Sequence, residues 1–361
     1  MRRSLLRRTA LPATLFIGAL MAIGAVAADK LHPYNVDIRK TSVSGLSSGA
    51  AMAVQLDVAY SSIFSGAGII AGAPYACAHG LLTTAQGPCM AATMPIDVAE
   101  LVNVTRKSAE NGEIDAVANL RNQRIWLFSG GKDSVVKRSV VIDVEKYYKS
   151  FVASANVLGE CWDRTSANAH RACVQAQHAM PTKGFGRGCS VKHEPYINDC
   201  GFDAAGALLK WIYPGIRNRS TSPPRDRLLE FDQSEFISVP ALHGMAATGW
   251  VFVPENCQRQ KPCRLHVALH GCLQHPGHVY ADENHAMVKF GDTFARHAGY
   301  NEWADANNII VLYPQAASIP PFMNPSGCWD WWGYTGADYA KKNGTQMAAI
   351  RSMIDRVTGH R

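Results

Sequence analysis

Residues 41–50 read Thr-Ser-Val-Ser-Gly-Leu-Ser-Ser-Gly-Ala, and inside them lies a G-x-S-x-G pentapeptide, Gly45-Leu46-Ser47-Ser48-Gly49. A serine hydroxyl is a weak nucleophile until a base takes its proton, and that base needs an acid to orient it. Candidates for both follow in chain order. Asp133 closes the turn Gly130-Gly131-Lys132-Asp133, and His178 follows the alternating run 171–177. The chain has thirteen histidines, so position decides: His178 directly follows a strand pattern, and its nearest rival, His193, does not. Acyl transfer also needs two N–H donors for a tetrahedral oxyanion. Ser48, next after the nucleophile, offers one, and Cys272 in His270-Gly271-Cys272-Leu273-Gln274 offers the other. Each piece alone has a plainer reading, as a Gly/Ser-rich turn, a turn aspartate or a loop histidine.

These residues need rigid elements behind them. Residues 34–43 alternate as a strand, and 50–56 are strong helix formers. Ser47 therefore falls on a strand–turn–helix junction, where the motif acquires a mechanism. The turn exposes the hydroxyl, small neighbours let strand and helix approach, and the helix N-terminus aims N–H groups at an oxyanion. A small-residue strand is expected over 64–73 and another over 124–129, ending at the Asp133 turn. Helices are expected over 96–119, 140–152 and 204–213, the last stopped by Pro214-Gly215. Residues 218–226 are polar and the most linker-like stretch. Beyond them, 228–238 and 249–254 read as paired strands, 264–269 and 308–314 as buried strands, and 288–306 and 344–357 as helices.

Of the 361 residues, 47% are hydrophobic and 18% charged, the balance of a globular core. The net charge of +7 includes Arg2, Arg3, Arg7 and Arg8, which leaves +3 without them. That mild balance, with no basic stripe carrying aromatics, argues against a nucleic-acid partner. Those arginines open an export signal: a positive start, an apolar stretch over 10–25, and Ala25-Val26-Ala27 as the cleavage site. Residues 1–27 are thus expected to be a signal peptide of a secreted protein, extracellular or periplasmic, and 28–361 a single catalytic domain. Later segments are too short to span a bilayer, so no stable membrane insertion is expected. Ten cysteines beyond the signal fit an oxidising compartment. Spacing suggests neighbours pairing in order, Cys77 with Cys89, Cys161 with Cys173, Cys189 with Cys200, Cys257 with Cys263 and Cys272 with Cys328, although sequence leaves connectivity open. With no C-x-x-C present, neither a metal nor a cofactor is expected.

The order of the pieces is unusual. In the α/β-hydrolase arrangement the H-G-x loop precedes the nucleophile, whereas here it follows by more than two hundred residues. Two strands expected early, 264–269 and 308–313, come late. The simplest account is a circularly permuted α/β-hydrolase: a mostly parallel central sheet with helices on both faces and disulfide-stapled loops. A Cys272–Cys328 bridge would hold the two Cα atoms about 5.5 Å apart. Trp329 would then lie near the oxyanion hole, and Trp331, Trp332 and Tyr334 would extend a cleft wall beside the nucleophile.

Several motifs together resemble secreted poly(3-hydroxybutyrate) depolymerases of the single-domain, circularly permuted fungal and bacterial type. They are Gly45-Leu46-Ser47-Ser48-Gly49-Ala50, Leu269-His270-Gly271-Cys272-Leu273-Gln274, Leu312-Tyr313-Pro314-Gln315-Ala316 and Asn324-Pro325-Ser326-Gly327-Cys328-Trp329-Asp330-Trp331. The resemblance covers nearly all of the chain after the signal. It implies Ser47 as nucleophile, Asp133 as orienting acid, His178 as base, the Ser48 and Cys272 N–H groups as oxyanion hole, and Trp329 on the polymer cleft. Multidomain relatives carry a separate substrate-binding domain, and none is expected here. The resulting expectation is a monomeric serine esterase acting on polyhydroxybutyrate or its oligomers. The alternatives are a general short-acyl, feruloyl or acetylxylan-type carboxylesterase, and a non-catalytic polymer-binding protein.

Overall fold

The computed structural model describes residues 28–160 and 173–360. Eight strands make one sheet: β1 (Val36–Leu46), β2 (Phe64–Ile70), β3 (Arg124–Phe128), β4 (Val157–Glu160), β5 (Leu228–Asp232), β6 (Thr248–Phe252), β7 (Cys263–Leu269) and β8 (Ile309–Tyr313). Their spatial order is β4-β3-β2-β1-β7-β8-β6-β5. Neighbours from β4 to β8 run parallel, and β6 is antiparallel to both β8 and β5. The middle strands are buried on both faces, so β8 is a continuous Ile-Ile-Val-Leu-Tyr run without polar alternation.

The longest helices are α1 (Ser48–Ala59), α2 (Val98–Glu110), α3 (Arg138–Lys149), α4 (Ala204–Ile212), α5 (Tyr300–Asn307) and α6 (Thr345–Thr358). Strand alternation sends neighbouring side chains to opposite faces, and β1 separates two helical layers in this way. Ser42 and Ser44 face Tyr213 beside α4 and Tyr300 of α5, while Gly45 lies against Gly49 of α1. Asp57 of α1 accepts from Tyr148 of α3 at 2.9 Å, and Gln55 of α1 lies near Met347 of α6. Every residue of α1 is buried, which explains its lack of amphipathic pattern. No helix among the described residues is long and apolar enough to cross a membrane.

Two expectations change, and a third lies partly outside the described residues. Residues 173–177 form no regular element: Val174 O and Ala176 O accept from Gly131 N and Lys132 N, so this segment serves the Asp133 turn instead of a sheet. The helix expected over 288–306 is broken into a short strand (Met287–Lys289), a helical turn (Thr293–His297) and α5. Gly291 and Gly299, with φ of 55° and 90°, make the breaks. Four disulfides form as spaced: Cys77–Cys89, Cys189–Cys200, Cys257–Cys263 and Cys272–Cys328. Cys173 has no disulfide partner among the described residues, and its Sγ accepts from Arg138 at 3.1 Å; its expected partner Cys161 lies outside those residues, as does the expected signal peptide over 1–27.

Candidate active site

Ser47 occupies the sharp turn between β1 and α1. Its φ of 58° and ψ of −120° lie outside the regions a serine ordinarily adopts, a strain of about 1–3 kcal/mol that surrounding contacts must hold. Ser47 N–H donates to Ile70 O at 2.9 Å and Ser47 O accepts from Ala51 N at 3.0 Å. Both glycines of the motif are sterically required. A Cβ on Gly45 would stand 2.2 Å from the Gly49 carbonyl, and one on Gly49 would stand 2.3 Å from His270 O. The elbow is therefore wedged between its own helix and the loop after β7.

Asp133 and His178 meet at the same end of the sheet. His178 Nδ1 lies 2.9 Å from Asp133 Oδ2, and the Asp133 side chain is only 2% exposed. Asp133 Oδ1 accepts from Val135 N at 2.9 Å and Val136 N at 3.0 Å, so both carboxylate oxygens are committed. With Nδ1–H donated to the carboxylate, the Nε2 lone pair is left to act as a base. Gln177 Oε1 accepts from His178 N and Ser134 N, tying the two loops together. Ser47 and His178 line one cleft of about 160 Å³ with Met90, Val135, Tyr196 and Cys272. No hydrogen bond joins Ser47 Oγ to His178 among the described residues; such bonds commonly tighten only when substrate binds.

The loop after β7 closes the cleft on its other side. Gly271 packs so closely that a Cβ there would lie 3.4 Å from Ser47 Cβ. The Cys272–Cys328 bridge, Cα atoms 4.2 Å apart, anchors this loop to the segment leading into Trp329. Ser48 N–H and Cys272 N–H have no acceptor among the described residues, so both are free for a ligand oxygen.

A second set of serines and a histidine lies inside the sheet. His266 Nδ1 is 2.7 Å from Ser42 Oγ and its Nε2 is 2.7 Å from Ser44 Oγ. All three are fully buried, and burial pushes the His266 imidazole down to about 3. With no path for substrate, this is a satisfied core network. A larger cavity of about 490 Å³, lined by Glu160, Asp203, Lys210 and Trp303 among others, has no serine or histidine among its described lining residues.

Over 345 residues the chain is 46% identical to a poly(3-hydroxybutyrate) depolymerase of Delftia acidovorans, a match covering 94% of this chain and 64% of that protein. Over 359 residues it is 38% identical to a polyhydroxybutyrate depolymerase of Talaromyces funiculosus, covering 94% of this chain and 96% of that one. This chain belongs to the polyhydroxybutyrate depolymerase family. It spans just under two thirds of the Delftia relative's length. Two solved structures agree. A PHB depolymerase from Penicillium funiculosum superposes with a TM-score of 0.76 at 36% identity, covering 92% of this chain and all of that one. A serine-to-alanine variant of a PHB depolymerase, complexed with an R3HB trimer, superposes with a TM-score of 0.78 at 35% identity and the same coverage. No family model matches the chain.

Within this depolymerase fold, the expected aromatic wall is mostly interior. Trp329 is fully buried and its indole Nε1 donates to His270 O at 3.1 Å. The expectation of Trp329 as cleft lining gives way to a place behind the wall. Trp331 borders a small lobe beside Ser47, Ser48 and Met90. Trp332 and Tyr334 line neither the cleft nor that lobe, and Tyr334 Oη donates to Cys328 O at 2.8 Å. Asp330 knots this segment, accepting from Gly333 N, Tyr334 N and Thr335 N. Sequence reasoning missed Met90, Val135, Lys192 and Tyr196 on the cleft. Met90 comes from a short helical turn (Gly87–Ala91) and the others from loops, none with a periodic signal in the sequence; only the disulfides at Cys89 and Cys189 hint that these segments are held in place.

Proposed function

We propose that this chain is a serine esterase that hydrolyses the ester bonds of poly(3-hydroxybutyrate) or its oligomers. The observation that carries the reading is the Asp133–His178 pair sharing a cleft with Ser47 on a strained strand–helix turn. His178 Nε2 takes the Ser47 proton as Oγ attacks the ester carbonyl, and Asp133 holds the imidazolium that results. The Ser48 and Cys272 N–H groups donate to the oxyanion, a contribution of about 3–4 kcal/mol per donor. His178 then protonates the ester oxygen that departs as an alcohol, and water, deprotonated by the same imidazole, attacks the acyl-enzyme and frees Ser47. Leu46, Met90, Val135 and Leu273 give the cleft aliphatic walls that suit a methyl-branched polyester.

The names of the relatives support the substrate class, as does the trimer bound to the solved family member. The strand order supports a circular permutation of the α/β-hydrolase sheet. Counting from β5 and passing from the C-terminal strand to the N-terminal one, the sheet reads 1-2-4-3-5-6-7-8 with only the second strand antiparallel. The disulfides and the leader over 1–27 support secretion. The test is turbidity clearing of a poly(3-hydroxybutyrate) suspension by the wild type and by Ser47→Ala. Clearing by the wild type alone is expected. Hydrolysis of p-nitrophenyl butyrate without clearing or release of 3-hydroxybutyrate from oligomers would move the reading to a general esterase.

A further inference from the structure

An oxyanion donor is useful only if its N–H points at the reacting carbonyl, and the loop after β7 contains an arrangement that fixes this direction. In the run from His270 to Leu273, four backbone groups are held. His270 O accepts from Trp329 Nε1 at 3.1 Å, and Gly271 N–H donates to Gln274 Oε1 at 2.7 Å. Gly271 O accepts from His270 Nδ1 at 2.7 Å. Leu273 N–H donates to Ser326 O at 2.7 Å. Cys272 N–H has no acceptor among the described residues and lies beside Ser47.

A trans peptide points its C=O and N–H in opposite directions. Pinning Gly271 O therefore sets where Cys272 N–H points. The pin depends on the His270 tautomer, which is fixed in turn by Ala316 N–H donating to Nε2 at 3.1 Å. His270 is fully buried between Phe294 and Trp329, and burial pushes its imidazole down to about 3, so it stays neutral with its proton on Nδ1. Gln274, also fully buried, does a second job. Its Nε2 donates to Pro195 O at 2.9 Å and Tyr196 O at 3.2 Å, bracing the loop against the opposite wall of the cleft.

We infer that His270 and Gln274 are positioning residues that clamp the peptides flanking Cys272 so that its N–H is aimed at the oxyanion. The inference rests on the reading of Cys272 N–H as an oxyanion donor. Neither side chain touches the reacting atoms, so both act through geometry. Loss of either pin frees the donor to rotate, and donors of this kind are worth about 10²–10³ in kcat.

The test uses full-length protein, p-nitrophenyl butyrate and an alkylboronic acid, whose serine adduct mimics the tetrahedral intermediate. His270→Ala and Gln274→Met are expected to lower kcat about 10–100-fold with KM within about threefold, and to weaken boronate binding by the same factor. His270→Asn, which can place an N–H donor near the Nδ1 position, is expected to recover most of the loss. If His270→Ala does not fold, Gln274→Met, matched to glutamine in length, carries the test alone. Unchanged kcat in soluble Gln274→Met, or a loss confined to KM, would overturn the clamp. A crystal structure of the wild-type boronate adduct separates the two levels: a boron-bound oxygen away from Cys272 N–H would overturn the oxyanion assignment itself, and with it the clamp.

Discussion

Gly49→Ala probes how tightly the elbow is wedged. A methyl at Gly49 would sit 2.3 Å from His270 O and 2.5 Å from Leu269 O, against the 3.4 Å at which ordinary contact begins. The shortfall is about 1 Å, and both neighbours are backbone. His270 is held through its own carbonyl and ring, and Leu269 is paired in the parallel β1–β7 ladder, so neither can retreat alone. The first turn of α1 must therefore back away from the β7 loop by most of that distance. Ser47 and the Ser48 donor ride on α1, while the Cys272 donor stays with the loop. A displacement of about 1 Å at a reacting centre costs about 10²-fold in rate, and overpacking costs about 1–3 kcal/mol of stability. The assay is p-nitrophenyl butyrate hydrolysis, with the active fraction counted by a fluorophosphonate, beside urea denaturation. A folded Gly49→Ala with wild-type kcat would refute the wedge argument.

Asp133→Asn should lower kcat by about 10⁴ with little change in stability, because the amide cannot hold the His178 tautomer and imidazolium as a carboxylate does; steady-state kinetics with circular dichroism checks this. Asp57 is fully buried on α1, with one oxygen bonded to Tyr148 and the other without a partner among the described residues, and burial pushes its carboxyl up to about 7. A raised carboxyl favours the folded state when protonated, so stability falls as pH rises from about 4 to about 7 and is level above that. The span corresponds to about 4 kcal/mol at most, and urea midpoints at pH 5 and 8 should show that Asp57→Asn removes this slope; parallel pH curves for the two proteins would count against it. Opening Cys272–Cys328, which closes a 56-residue loop, by Cys328→Ser should cost about 4 kcal/mol of stability on chain-entropy grounds and lower kcat, read by thermal melts and esterase kinetics.

The nucleophile elbow was legible because it combines a local motif with a change of period, alternation over 34–43 and helix formers after Ser47. Asp133 and His178 were legible in chain order, yet the segment before His178 is not a sheet strand. Its alternation is real, but its carbonyls are taken by Gly131 and Lys132 N–H groups, a tertiary choice no periodicity reveals. The split of residues 288–306 was hidden because a helical composition outweighs two glycines until their positive φ is seen. The motif order puts Trp329 near the oxyanion loop, but whether its indole faces the cleft or the interior depends on tertiary packing, here against the His270 ring and carbonyl. The buried Ser42–His266–Ser44 network would mislead a search for serine–histidine pairs by distance alone; accessibility is what distinguishes it from Ser47 and His178.

The central claim is that Ser47 becomes acylated by a 3-hydroxybutyrate ester. Rapid acid quench of the wild type turning over a 3-hydroxybutyrate oligomer, followed by peptide mass mapping, tests it directly. The account predicts a hydroxybutyryl adduct on the peptide containing Ser47, absent from Ser47→Ala, which should also fail to turn over the oligomer. Turnover by Ser47→Ala, or an adduct on another residue that survives in that variant, would contradict it.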